Sequence, residues 1–219
     1  MKKQIALIGF GTIGQYLFRQ LRSQDDIEIT GVYEANPETA KTVPDNLAIS
    51  SPAELEKLLS NVEYADMVVF STTAFADEEF ESKALELCSK FSRKIYVPHG
   101  AILGLDGIRD GREKLESVMI TTIKKPANLG RTETERTVLF EGPTREACRL
   151  YPRNVNVHAS IAIAGLGFDK TKSRIIADPD SEGNVHIIEI AAEGVKFKIE
   201  ICSIPLGRFI LMIFRPITS

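Results

Sequence analysis

The sequence predicts an α/β fold: an N-terminal Rossmann domain with a doubly wound parallel sheet, then a smaller α+β domain with an open, mostly antiparallel sheet. Three observations predict it. An apolar run, Ile5 to Ile8, ends in glycines at Gly9, Gly11 and Gly14, the spacing of a dinucleotide fingerprint. Strand-like and helix-like segments then alternate as far as Pro98, the pattern of a parallel sheet with helices on its faces. Near Asp106 the rhythm changes and strands predominate. The last of them sets Val195, Phe197, Ile199 and Ile201 against Lys196, Lys198 and Glu200, as a half-exposed antiparallel strand does.

Each fingerprint residue has a physical task. Gly9 can take the backbone angles of a tight strand-to-helix turn. Gly11 has no Cβ, so a pyrophosphate can approach the main chain, and Gly14 lets helix and strand pack closely. A helix then begins, with Leu17, Phe18 and Leu21 at helical spacing. Its first residues, Thr12 and Ile13 with Gly14, offer unpaired N–H groups and a partial positive charge to the phosphates. Ile27 to Tyr33 reads as the second strand. Glu34 follows it at the roughly 20-residue spacing from which an acidic side chain holds the adenosine ribose. A carboxylate there repels a 2′-phosphate, which favours NAD while leaving NADP possible.

Ser51-Pro52-Ala53-Glu54 reads as a capped helix start, with Leu55, Leu58 and Leu59 as its buried stripe. Met67 to Phe70 is a short apolar strand. Ser71 to Asp77 is the loop after it, then a helix carries Phe80, Ala84, Leu85 and Leu87, and Lys94 to Pro98 is a further strand. Ligands bind beyond the carboxyl ends of such strands, so the loops 9–14, 71–77 and 99–105 are expected to share a crevice. Asp106 to Ser117 can be a linking helix. Strands are predicted over 118–123, 137–141, 171–177, 185–192 and 195–201, with helices over 144–150 and 156–164. The domains are therefore expected at 1–105 and 106–203, with an atypical tail at 204–219.

Composition narrows the function classes. The chain has 219 residues, 43% apolar and 26% charged, as in ordinary globular proteins. A net charge of −3 argues against a nucleic-acid partner. No apolar run approaches the roughly 20 residues of a membrane helix, and Met1-Lys2-Lys3 leads straight into a strand without a signal-peptide pattern. Cys88, Cys148 and Cys202 are unclustered, which fits buried thiols in a reducing compartment. A cytoplasmic protein is predicted, with neither membrane nor nucleic acid as partner. No His, Cys or carboxylate cluster has metal-ligand spacing, so no metal is expected.

An ordered set of segments resembles the L-aspartate dehydrogenase family: S-T-T-A-F-A-D (71–77), G-A-I-L-G-L-D (100–106), T-I-K-K-P-A-N-L-G (122–130) and T-V-L-F-E-G (137–142). To these are added Y-P-R-N-V-N-V (151–157), I-A-D-P (176–179) and N-V-H-I-I-E-I (184–190). The resemblance runs from residue 4 to about residue 201. It implies NAD(P)-dependent oxidation of L-aspartate to iminosuccinate, which hydrolyses to oxaloacetate and ammonia or feeds NAD biosynthesis. It also implies a homodimer with a Rossmann domain and a smaller catalytic domain.

By the same resemblance His186 occupies the catalytic position, and a side chain titrating near neutral pH suits proton acceptance from an amine. Asn156 and Ala101 match positions that contact NAD. Asn156 also suits a helix N-cap. Thr72 and Ala74 belong to the loop that runs under the cofactor. Lys124 and Arg153 lie in matching motifs and carry the charge that a dicarboxylic amino acid substrate requires. His99 departs from the family's usual serine, and His158, among small residues, reads as a packing histidine.

The resemblance stops after Ile201. Family members continue with a Pro-rich turn, an Asn-Pro-Lys-Thr-Ser stretch and a long helix. This chain instead carries the apolar run Phe209 to Phe214 between Arg208 and Arg215, a departure that bears on dimerisation and activity. Two further readings stand beside the first. One is a Rossmann reductase of another small amino or keto acid, of the dihydrodipicolinate or homoserine type. The other is an NAD-binding protein whose catalysis is impaired by its tail.

Overall fold

The computed structural model describes residues 2–51, 53–55, 57 and 67–203. The expected stripe residues Leu58 and Leu59 and the tail 204–219 lie outside the described residues. By internal contacts the chain divides into two units, Met1–Ala65 and Asp66–Ser219. That division falls earlier in the chain than the boundary expected at 105.

The first unit is built on a parallel sheet of β1 (Lys3–Ile8), β2 (Ile27–Tyr33) and β3 (Ala48–Ile49), in the order β1-β2-β3. The helix Thr12–Leu21 connects β1 to β2. A helical crossover of this kind is how a parallel pair is joined. Leu7, Phe10, Phe18, Val32 and Val43 form the core. Phe10 and Phe18 meet edge to face at 5.5 Å, so the helix is keyed to the elbow by an aromatic pair. Ser51 Oγ accepts from Glu54 N–H at 3.2 Å, and the Glu54 carboxylate returns to Ser50 N–H at 2.7 Å. This is the expected capping box with the return bond displaced by one residue.

The second unit opens with a separate two-stranded parallel sheet, β4 (Met67–Val68) and β5 (Ile95–Tyr96). The sequence predicted a parallel sheet with helices on its faces, and all these pairings are parallel. Among the described residues the hydrogen bonds group these strands as β1-β2-β3 and β4-β5. Between β4 and β5 lie a 3-10 segment, Thr72–Ala76, and the helix Glu78–Phe91, which the Asp77 carboxylate caps through Phe80 N–H at 2.8 Å.

The main sheet of this unit has β6 (Leu115–Lys124), β7 (Thr137–Pro143), β8 (Lys172–Ala177), β9 (Asn184–Ala192) and β10 (Val195–Ser203), in the order β10-β9-β6-β8-β7. All pairings are antiparallel except β6 with β8, so the expected mostly antiparallel open sheet is found. The linking helix is shorter than predicted. It spans Leu105–Asp110 and stops at Gly111, and β6 already begins at Leu115, paired with Ala192 of β9. Glycine at the helix end and the long-range pairing together outweigh the local helical pattern.

The helix Asn156–Ala164 lies buried against one sheet face, with Ala159, Ile161 and Ala162 fully buried. Its small residues allow close approach. Val118, Ile120 and Ile188 pack from the sheet with Ile161 on one flank, while Ile175 and Ala177 pack with Ala159 and Ala162 on the other. That face also carries Thr122, Ser173 and His186, because residues two apart on a strand share a face and register partners lie side by side. Thr122 is the partner of His186, and Ile120 the partner of Ser173.

Candidate active site

One candidate site is the glycine elbow of the first unit. Gly9 has φ of +93°, a left-handed conformation that favours glycine. A Cβ on Gly14 would lie 2.1 Å from the Gly9 carbonyl oxygen, so helix and turn leave room for no side chain there. Gly11 is different. Nothing lies within 4 Å of a Cβ built on it, so internal packing does not require glycine. That open space beside the helix start fits a pyrophosphate. Gln15 N–H donates to the Gly11 carbonyl at 2.9 Å, which puts the N–H groups of Thr12, Ile13 and Gly14 ahead of the first intrahelical bond.

Glu34 closes the elbow from the end of β2. Its carboxylate accepts Asn36 N–H at 2.8 Å through one oxygen and Phe10 N–H through the other. The Asn36 bond, then the Phe10 bond, hold its pKa below the usual carboxylate range. The carboxylate is thus ionised and fixed at the turn, with lone pairs left for ribose hydroxyls.

A second candidate site lies in the second unit around His186, which is 4% exposed at the start of β9. Its Nδ1 is 2.8 Å from Thr122 Oγ1, and the same hydroxyl is 2.6 Å from Nε2 of His158. His158 is fully buried, and its Nδ1 is 2.8 Å from Ser173 Oγ. Burial, reinforced by the Lys124 charge, pushes the His186 pKa down to about 4. Burial, then the neighbouring His186 and Lys124, takes His158 to about 3. Both imidazoles are neutral at neutral pH.

Lys124 is on β6 two residues beyond Thr122, on the same face. Its ammonium donates to Asn154 Oδ1 at 3.3 Å, and burial lowers its pKa. The neighbouring Arg153 is exposed and lines a cleft of about 420 Å³ with Arg131, Tyr151 and Asn154. Arg131 is already engaged by Glu133 at 2.8 Å.

Thr72 and Asn156 also come together. Thr72 is 2% exposed and donates to the Asn156 carbonyl at 2.7 Å. Asn156 Oδ1 accepts Thr73 N–H at 3.3 Å. Val155, not Asn156, occupies the cap position of the helix, and the Asn156 side chain makes no capping bond there. Its amide instead ties the helix start to the 71–77 loop. Ala74, Ala101 and His99 are exposed and take no part in the His186 cluster. His158, read from the sequence as a packing residue, belongs to the polar cluster. The available signal was an imidazole amid Ala159, Ser160 and Ala162, where packing alone would select an apolar side chain.

The family described as aspartate dehydrogenase, C-terminal, matches residues 106–208, and that described as oxidoreductase family, NAD-binding Rossmann fold, matches residues 3–89. The chain is 35% identical to the L-aspartate dehydrogenase of Thermotoga sp. (strain RQ2), across 92% of this chain and 87% of that protein. The chain belongs to the aspartate dehydrogenase family. Another member, the L-aspartate dehydrogenase of Methanosarcina barkeri, is 32% identical over 92% of this chain and 88% of its own length. The crystal structure of aspartate dehydrogenase from Thermotoga maritima superposes with a TM-score of 0.75 at 29% identity, covering 92% of this chain and 89% of that one. Within this aspartate dehydrogenase family the glycine elbow belongs to the NAD-binding Rossmann match, and Thr122, Lys124, His158 and His186 fall in the C-terminal match.

Proposed function

We propose that this protein oxidises L-aspartate to iminosuccinate with NAD as the preferred hydride acceptor, His186 taking the proton from the substrate amine. The observation that carries the proton-acceptor role is the environment of His186. Thr122 Oγ1 lies 2.8 Å from Nδ1 of a ring that is uncharged at neutral pH, which leaves Nε2 as the nitrogen to accept a proton; burial lowers its pKa to about 4, below the near-neutral titration that the sequence suggested. A neutral amine is needed before hydride can leave Cα. NAD, when bound, supplies the acceptor for that hydride. The lone pair left on the substrate nitrogen then forms the C=N bond of an iminium, which releases a proton to give iminosuccinate, and water hydrolyses that to oxaloacetate and ammonia.

Lys124 lies close enough to influence the pKa of His186 and is suited to a substrate carboxylate, with Arg153 as the second cation of the reading. Asn156 with Thr72 and Ala74, and Ala101, are assigned to the nicotinamide end of the cofactor. The ionised Glu34 supports NAD over NADP. A homodimer, a cytoplasmic location and supply of NAD biosynthesis belong to the same reading. In its support, no helix among the described residues is long and apolar enough to cross a membrane. The test is the rise of the NADH absorbance band with L-aspartate and either cofactor. Activity restricted to another amino or keto acid would overturn the substrate assignment.

A further inference from the structure

We propose that a buried chain of hydrogen bonds, Thr144–Ser173–His158–Thr122, is a positioning device that fixes His186 as the Nδ1–H tautomer and leaves its Nε2 lone pair free. The inference rests on the reading of His186 as the proton acceptor. It deepens that reading by naming the atom and the residues that select it.

The direction of the chain follows from counting protons. Thr144 Oγ1 is 3.0 Å from the Thr171 carbonyl, an acceptor only, so Thr144 spends its one hydroxyl proton there. Ser173 Oγ, 2.7 Å from Thr144 Oγ1, must then be the donor in that pair. With its proton spent, Ser173 can only accept from His158, so His158 carries its proton on Nδ1 at 2.8 Å. His158 is fully buried and faces Lys124 and His186, which keeps it neutral with Nε2 as an acceptor. Thr122 therefore donates to His158 Nε2 across 2.6 Å. The Thr122 oxygen is left to accept from His186 Nδ1–H across 2.8 Å. Reversing any link would place two acceptors or two protons against each other.

Every member is buried. Thr144, Ser173 and His158 are 0% exposed and Thr122 is 1% exposed, so water cannot easily restore a reversed link. A buried unpaired group costs roughly 1–3 kcal/mol, whereas a free imidazole exchanges tautomers readily. Thr122, His158, Ser173 and Thr144 are positioning residues. They act on the reaction only through His186.

The test is the ring-nitrogen NMR of the full chain with ¹⁵N-labelled histidine, using His99→Asn and His158→Gln for assignment. The expected result is a protonated Nδ1 and a bare Nε2 on His186, with the same pattern on His158. A wild-type His186 protonated at Nε2 overturns the proposal. Ser173→Ala removes the acceptor of His158 three hydrogen bonds from His186. That variant should mix the His186 tautomers and lower kcat by at least about tenfold with KM for aspartate unchanged, while Ser173→Thr retains the wild-type pattern. Unmixed tautomers in a folded Ser173→Ala would also overturn it. The two readings separate through His186→Ala. Lost turnover there with the wrong wild-type tautomer removes the chain alone, whereas full turnover in His186→Ala removes the proton-acceptor assignment and the role of the chain with it.

Discussion

His186 and Thr122 stand directly opposite each other on antiparallel β9 and β6, and their side chains meet at 2.8 Å. Register and hydrogen bond are thus the same fact. A slip of one residue would turn His186 to the other sheet face and leave Thr122 without it.

Removing the imidazole tests the proton-acceptor role. His186→Ala is expected to lose about 10²–10⁴ in kcat while NAD affinity, measured by fluorescence titration, stays within about twofold of wild type, a margin set by the absence of any change at the elbow. Normal turnover would remove the assignment.

Thr122→Val keeps the shape but leaves His158 Nε2 and His186 Nδ1 without their shared partner. A loss of roughly 1–3 kcal/mol in denaturant unfolding follows from the unpaired groups. Thr122→Ser restores the hydroxyl and most of the stability. Equal stability of valine and wild type would contradict the buried geometry.

At the elbow, two alanine substitutions are expected to behave differently. Gly14→Ala drives a methyl against the Gly9 carbonyl oxygen, at 2.1 Å before relaxation, and costs about 1–3 kcal/mol of stability. Gly11→Ala adds a methyl to open space, so the melting temperature should hold while NAD affinity falls by about tenfold or more, the loss of close phosphate approach. Calorimetry with and without NAD separates them, and a Gly11→Ala that binds NAD normally would remove the pyrophosphate from this turn.

Stability should fall in acid for a reason tied to the site. His186 and His158 have pKa values lowered to about 4 and about 3 in the folded chain, against 6.5 as the ordinary value. The folded state therefore binds fewer protons. Its advantage is complete above pH 6.5 and is lost as pH falls through about 4 and then about 3. Each histidine contributes a slope of up to roughly 1.4 kcal/mol per pH unit in its window. Urea midpoints measured across that interval should fall with pH; a flat profile would argue that neither ring is buried neutral.

Lys124 is the residue that the proposed function gives to both substrate and base. Lys124→Met should raise KM for aspartate by about tenfold, the usual worth of one charge-assisted contact, and should let the His186 pKa rise, since the Lys124 charge is one cause of its depression. An NMR titration of the ring that does not move would separate the two residues.

Much of this was legible along the chain because the signals are local. The turn and helix start at Gly9–Gly14 depend on sterics within a few residues. Helices at 144–150 and 156–164 and the alternation of β10 follow from periodicity of the same short range. Glu34 and His186 stood out through spacing and motif. Local pattern misled at 106–117, where the strand pairing of Leu115 with Ala192 took residues that read as helix.

Sequence alone determined which residues could take part: the glycines, the carboxylate at 34, the imidazole at 186 and the lysine at 124. Tertiary structure alone decided that Thr122 lies between His158 and His186, residues 36 and 64 positions away from it, and that Ser173 closes the far side. The physical reason is that periodicity says which face a residue takes within its own element, whereas strand order and register, set by the packing of the whole sheet against one helix, say what that residue meets.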